Sequence, residues 1–229
     1  MTFDQIIADL KKKIYSPVYF LQGEEPFYID QIANYIENEV LTESEKEFNQ
    51  TVLYGKDLDL PTLFSYAKRY PMMSNYQVVI VKEAQDIKDL AGKKESAEGS
   101  GKSGKKNDSK DHFLDYLQNP TPTTILVFCY KYKTIDKRTK VAKVLDKAGV
   151  VFESKKIYQD KVPAWVNQYV LSKGHRINPK ACVLMAEYLG ADLSRIANEV
   201  NKLLLNLKAG DEITAKHVEE NIGISKEFN

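Results

Sequence analysis

A short apolar segment that runs into a glycine and then into a proline-opened helix constrains the fold of this chain most. Residues 18–22 are typical of a buried strand, Gly23 ends it, and Pro26 opens an amphipathic helix. Strand, turn and helix in this order form the frame in which many proteins cradle a nucleotide phosphate. The segment therefore predicts an α/β fold of the nucleotide-binding type.

The turn itself carries residues that do not suit a phosphate. A phosphate-binding loop needs several glycines, whose backbone N–H groups converge on the anion, and a Lys followed by Ser or Thr at the helix start. Here the turn reads Gly23-Glu24-Glu25-Pro26-Phe27, so two carboxylates would repel a phosphate and Pro26 offers no N–H. We interpret the segment as a nucleotide-binding frame without its nucleotide.

A second apolar segment lacks the carboxylates that a nucleotide-bound Mg²⁺ requires. P-loop NTPases follow this strand with Asp-Glu, which hold the metal and orient water. Residues 78–81 are apolar here, but Lys82 and Glu83 follow them, and an ammonium group cannot ligate Mg²⁺. The sequence thus predicts a degenerate nucleotide site with no cofactor, no metal and no catalytic residue. Its members are Gly23, Glu24, Glu25 and Lys82.

The order of the predicted elements divides the chain into an α/β part and a helical part. Apolar strands are predicted at 18–22, 51–54, 77–81, 125–129 and 150–153, with helices between them. This alternation predicts a mostly parallel, doubly wound sheet with helices on both faces, and the two motif positions above make it similar to the sheet of P-loop NTPases. From residue 158 onward only helices are predicted, at 163–172, 179–189, 192–208 and 214–222. We expect an α/β domain over residues 1–157 and a small helical domain over 158–223.

Residues 92–110 form the one low-complexity stretch, GKKESAEGSGKSGKKNDSK. Such a composition cannot build a core, and it predicts a flexible insertion in the first domain. The run from Gly99 to Ser103 is similar to the end of a P-loop, but the first glycine of that motif would fall on Ser96 and no strand precedes it. An active ATPase that uses this run, or a divergent Gly23 turn, is the enzymatic alternative.

The composition of the chain limits the classes of function that the protein can have. The chain has 33 basic and 32 acidic residues and a net charge of +1, so any attraction to nucleic acid must be local. Cys129 and Cys182 match no disulfide framework or metal motif and are expected to be reduced. His112, His175 and His217 lie on separate elements and suggest neither a metal site nor a catalytic set. No leader or long apolar run is present, which predicts a cytoplasmic protein without a membrane partner.

Basic residues are concentrated in one run of the chain. Its members are Lys131, Lys133, Lys137, Arg138, Lys140, Lys143 and Lys147. The last three lysines would share one face of a predicted helix. This face is either simply solvated, or it contacts DNA phosphates or an acidic partner surface. A stand-alone nucleic-acid-binding protein is therefore a second alternative function.

In these segments the chain resembles the delta subunit family of the bacterial DNA polymerase III clamp loader, a non-hydrolysing branch of the AAA+ superfamily. The resemblance rests on residues 19–29, on residues 78–81 with Lys82 beyond them, and on residues 190–203, GADLSRIANEVNKL. It implies an AAA+ module, a helical lid and a C-terminal collar domain that assembles the loader. Residues 224–229 would begin the linker to that collar, so the chain would be the first two domains of a longer protein.

The resemblance also implies a non-catalytic function in DNA replication. The delta subunit binds the ring-shaped sliding clamp, the beta subunit, and helps hold one of its interfaces open so that DNA can enter. Its other partners would be the gamma/tau and delta prime subunits, mainly through the collar, and DNA. The resemblance implies that the chain and these partner subunits belong to the DNA polymerase III holoenzyme, a DNA-directed DNA polymerase and hence a nucleotidyltransferase complex.

The resemblance places the clamp contact on an apolar pair in the turn before the third strand. In the segment Tyr70-Pro71-Met72-Met73-Ser74-Asn75 this pair is Met72 and Met73, where some relatives have Leu-Phe. Two unbranched, polarizable side chains beside a proline-stiffened turn can fill an irregular apolar groove. The alternative is that both methionines pack beneath the sheet.

Overall fold

The computed structural model of the protein describes residues 1–88, 90, 108–208 and 210–223, without the side chains of 108–112 and 223. The chain separates into two compact units, Met1–Lys155 and Lys156–Asn229. Most of the low-complexity stretch, including the run from Gly99 to Ser103, lies outside the described residues. The predicted linker at 224–229 also lies outside them.

A five-stranded parallel sheet lies at the centre of the first unit. Its strands are β1 (Val18–Gly23), β2 (Gln50–Tyr54), β3 (Gln77–Lys82), β4 (Thr124–Lys131) and β5 (Val150–Ser154), in the order β2-β3-β4-β1-β5. Strands β1, β3 and β4 are buried along nearly their whole length. Such burial is typical of parallel strands that helices cover on both faces. The predicted parallel α/β sheet is confirmed.

Helices pack on both faces of this sheet. They are α1 (Phe3–Lys11), α2 (Pro26–Glu39), α3 (Glu43–Asn49), α4 (Leu60–Ala67), α5 (Asp108–Gln118) and α6 (Lys140–Ala148). Val78 and Ile80 of β3 belong to the core shared with α1 and α2, whereas Val79 and Val81 belong to the core shared with α4, α5 and α6. Successive residues of a strand face opposite sides, so one apolar run supplies both cores.

Helix α3 is an element that the sequence patterns did not predict. Its sequence, ESEKEFN, has no apolar face, so no helical period is visible. It begins with a capping interaction in which the Thr42 backbone N–H donates to Oε2 of Glu45 at 2.9 Å. The last residue of the helix, Asn49, is its buried member.

The second unit is mainly helical, with one addition to the sequence-based prediction. Its helices are α7 (Val162–Ser172), α8 (Pro179–Leu189), α9 (Leu193–Leu205) and α10 (Ala215–Val218). The expectation of helices only is wrong, because β6 (Arg176–Ile177) and β7 (Glu212–Ile213) pair as parallel strands. Two residues are too few for an alternating pattern to appear in the sequence. In the described part of the chain, no helix combines the length and the apolar character needed to cross a membrane.

Candidate functional site

The turn between β1 and α2 directs its first backbone donors into the edge of the sheet. The Gly23 N–H donates to the Lys133 carbonyl at 3.0 Å, and the Glu24 N–H donates to the Ser154 carbonyl at 3.0 Å. Gly23 has φ of +133°, and a Cβ atom built on it would lie 2.0 Å from the Ser154 oxygen. Only glycine fits this approach. The turn is therefore closed against neighbouring backbone.

The Glu25 carboxylate occupies the N-terminus of α2. This side chain is buried, and its Oε1 accepts the Phe27 N–H at 3.0 Å. Pro26 lies between the two residues and has no N–H to donate. In a phosphate-binding loop the anion binds at this helix start. Here the chain supplies its own anion there, while Glu24 is exposed.

Lys82 forms an ion pair at the end of β3, where a Mg²⁺ site would need a free carboxylate. Its Nζ lies 3.0 Å from Oε2 of Glu37 on α2. Glu83 follows in the left-handed region at φ of +54°, and its carboxylate accepts a hydrogen bond from the Gln85 side chain. Because lysine is only a donor, the position cannot hold a divalent cation.

Lys131 lies in a charged cluster at the end of β4. Its Nζ is 2.8 Å from Oδ1 of Asp30 and 3.6 Å from Oε1 of Glu83, and its side chain is 14% exposed. Burial lowers the pKa of Lys131, but the hydrogen bond and charge of Asp30, together with the charge of Glu83, raise it above the ordinary value. Lys131 is thus mostly buried and paired, and it does not belong to the exposed basic surface with which the sequence grouped it.

Both cysteines are buried, and His217 is used in a helix cap. Cys129 and Cys182 are free and buried, and burial raises the pKa of Cys129 to about 12. Such a thiol stays protonated at neutral pH. His217 Nδ1 accepts the Thr214 N–H at 3.2 Å, and the side chain of His112 lies outside the described residues. Among the residues described, no group of three or more His, Cys, Asp or Glu could hold a metal ion.

The turn between α4 and β3 exposes two adjacent methionines. Met72 is 62% exposed and Met73 is 102% exposed, so neither belongs to the core. Met73 has φ of +54°, in the left-handed region that residues other than glycine rarely adopt. Tyr70, just before the turn, is also exposed. This turn presents large apolar side chains to solvent, as protein-interaction surfaces do.

The side chain of Asn49 on α3 forms hydrogen bonds to the backbone of this turn. Its Oδ1 accepts the Met72 N–H at 2.6 Å, and its Nδ2 donates to the Met72 carbonyl at 2.9 Å. The same Nδ2 donates to the Glu45 carbonyl at 3.0 Å. One buried side chain therefore satisfies both backbone groups of Met72. Sequence reasoning missed Asn49, since a single asparagine in a polar segment carries no pattern.

The basic run separates into paired and unpaired side chains. Lys137 Nζ lies 2.8 Å from Oε2 of Glu153, and the Arg138 guanidinium lies 2.7 Å from Oδ2 of Asp136. Four members are exposed and form no ion pair with any residue that the structure describes, namely Lys133, Lys140, Lys143 and Lys147. Three of the four lie on one face of α6.

The parallel sheet with helices on both faces and the glycine turn define the first unit as an α/β module, and the second unit is mainly helical. In the first unit the Glu25 carboxylate occupies the start of α2, and Lys82 pairs with Glu37 at the end of β3. The family described as DNA polymerase III, delta subunit, matches residues 19–155. The chain belongs to this family, and the resemblance inferred from the sequence is confirmed.

A protein sequence and a solved structure from Bacillus subtilis are similar to this chain. DNA polymerase III subunit delta of strain 168 is 27% identical over 229 residues, which are 100% of this chain and 63% of that protein. The solved structure of the DNA clamp loader delta protein has a TM-score of 0.74 at 23% identity, and covers 96% of this chain and 62% of its own. The similarity to this solved structure supports the assignment of the fold. The chain spans 63% of the length of the first relative.

Proposed function

We propose that the chain is a non-catalytic clamp-loader subunit that binds the sliding clamp and helps open it for loading onto DNA during replication. The observation that carries the proposal is the exposed pair Met72 and Met73 in a member of the delta subunit family. Flexible thioether side chains adapt to an irregular apolar groove. Burying each is worth about 1.5 to 3 kcal/mol before the costs of association.

Ring opening by such a subunit is a matter of differential binding. A ligand shifts the closed clamp toward the open form only if it binds the open form more tightly, and the shift is limited by that difference in affinity. We propose that the methionine turn supplies this affinity. Assembly with the gamma/tau and delta prime subunits would use a collar domain, and contact with DNA would occur within the assembled loader.

Gel filtration without nucleotide tests the clamp-binding proposal. The chain and the sliding clamp of the same organism should co-elute ahead of either protein alone, since the apolar turn is already exposed. Two separate peaks at micromolar concentrations would contradict the proposal.

The degenerate nucleotide site supports the non-catalytic part of the proposal. Glu25 caps the helix start at which phosphate would bind, and Lys82 pairs with Glu37 where a metal carboxylate would stand. Both features oppose the binding of a polyanion with its Mg²⁺. The subunit would therefore contribute to the DNA polymerase III complex by binding and not by chemistry.

Titration with Mg²⁺-ATP is expected to give no heat beyond dilution in isothermal calorimetry. The reason is that the turn's donors are engaged by Lys133, Ser154 and Glu25. Micromolar binding that Lys102→Ala abolishes would contradict this result. That outcome would favour the alternative of an ATPase that uses the run from Gly99 to Ser103.

The α6 face favours a second candidate role, contact with DNA phosphates. Replacing Lys140, Lys143 and Lys147 together by Gln should weaken DNA binding at low salt and reduce the slope of log K against log salt by about 3. Lys137→Gln is the matched control, because Lys137 already pairs with Glu153. The measurement is fluorescence anisotropy of a labelled primed duplex at several salt concentrations. An unchanged slope would mean that this face is merely solvated.

A further inference from the structure

We propose that Asn49 is the positioning residue that fixes the conformation of the clamp-contact turn. This inference rests on the proposed function of Met72 and Met73, although its structural part is testable without the clamp. Asn49 lies on α3, while the turn follows α4. Tertiary folding therefore brings the two together, and nothing in their sequence spacing does.

The Asn49 amide acts toward Met72 as a neighbouring strand would. Its oxygen accepts the Met72 N–H at 2.6 Å while its nitrogen donates to the Met72 carbonyl at 2.9 Å. Its second donor reaches the carbonyl of Glu45 in its own helix at 3.0 Å, which orients the amide. The side chain is 2% exposed, so solvent competes little for these bonds.

Ser74, which directly follows Met73, is also hydrogen-bonded. Hydrogen bonds from Thr42 and from the Ser74 side chain lower the pKa of Glu45 below its ordinary value. Ser74 Oγ also accepts the Tyr76 N–H at 3.4 Å. Hydrogen bonds at Met72 and at Ser74 thus flank Met73, the residue that adopts the left-handed conformation. Without such support, a methionine would rarely keep that conformation.

Because of these hydrogen bonds, the turn is already ordered before it binds the sliding clamp. Met73 projects fully into solvent because the backbone before it is fixed from the interior. Binding then loses little conformational freedom. Removing the Asn49 amide should lower clamp affinity by roughly 5- to 20-fold without removing any atom of the contact surface.

A double-mutant cycle separates positioning from general damage. Asn49→Ala should weaken binding of the sliding clamp when it is introduced into the wild-type chain. Introduced into a chain that already carries Met72→Ala and Met73→Ala, it should weaken binding further by less than about 2-fold. Asn38→Ala is the matched control, because Asn38 Nδ2 also donates to the carbonyl four residues before it, at 2.8 Å, yet this asparagine is exposed on α2. Full additivity of the two losses would overturn the proposal.

Amide hydrogen exchange tests the positioning without the clamp. In the wild-type chain the Met72 N–H should exchange slowly, although its side chain is exposed, and Asn49→Ala or Asn49→Ser should accelerate its exchange at least about 10-fold relative to Val79. An unprotected Met72 amide in the wild-type chain would overturn the proposal even if both variants fail to fold. If the double methionine variant binds the clamp normally while the Met72 amide of the wild-type chain is protected, the proposed clamp contact is refuted. The positioning of the turn by Asn49 then still stands.

Discussion

Gly23→Ala is expected to lower the free energy of unfolding of the first unit by about 3 to 4 kcal/mol. Gly23 combines φ of +133° with a position at which a Cβ atom would lie 2.0 Å from the Ser154 carbonyl oxygen. Ser154 cannot retreat freely, because that oxygen accepts the Glu24 N–H at 3.0 Å. The new methyl group would force β5 away from β1, or else open the turn.

Two further glycines separate the causes of this loss. Gly190→Ala should cost only about 1 to 2 kcal/mol, since φ of +69° with ψ of −144° strains any residue other than glycine but nothing lies within 4 Å of the added Cβ. Gly55→Ala tests the steric term alone, because its Cβ would lie 2.1 Å from the Glu83 carbonyl while its φ is unexceptional. We expect Gly55→Ala to fall between the other two variants.

Urea unfolding measures all three glycine variants. The fluorescence of Trp165, the one tryptophan of the chain, follows the second unit, in which Gly190 lies. Far-UV circular dichroism follows both units, so a transition that appears in the dichroism but not in the fluorescence reports the first unit. A loss for Gly23→Ala no larger than that for Gly190→Ala would contradict the closed turn. The positions at which nucleotide would bind could then open at little cost.

Sequence reasoning predicted the elements that carry long patterns. The apolar runs of β1, β3 and β4 specify buried parallel strands, because each strand needs apolar residues on both faces. The sequence also showed that Glu24 and Glu25 in the turn, and Lys82 after β3, depart from what phosphate and Mg²⁺ require. The exposure of Met72 was not visible, and from the sequence alone the core remained an alternative.

The rest of the site depends on contacts between residues far apart in the chain. The fold brings together three such pairs, namely Asn49 with Met72, Lys82 with Glu37, and Lys131 with Asp30. A polar side chain has no period that would reveal such a partner. This is why Lys131 was grouped with the exposed lysines, and why Asn49 and α3 were not predicted at all.

The double variant Met72→Ala with Met73→Ala is expected to weaken clamp binding by about 2 to 4 kcal/mol. Both the transfer of apolar surface and the packing in the clamp groove would be lost. Folding should hardly change, because the two side chains are 62% and 102% exposed. Two core methionines would instead cost about 2 to 5 kcal/mol each in stability when truncated.

Leu205→Ala is the control for loss of an exposed apolar side chain elsewhere. Leu205 is 85% exposed on α9 in the second unit. Its truncation should leave both clamp affinity and the melting temperature near wild-type values. A loss of clamp binding in this control as well would show that any exposed apolar residue matters.

Isothermal titration of the sliding clamp with the wild-type chain and the double methionine variant, without nucleotide, tests the proposed function most directly. We expect a measurable affinity for the wild type, a loss of roughly 30- to 1000-fold for the variant, and equal melting temperatures for the two proteins. A variant that binds the clamp as tightly as the wild type would contradict the assignment of Met72 and Met73 as the clamp contact.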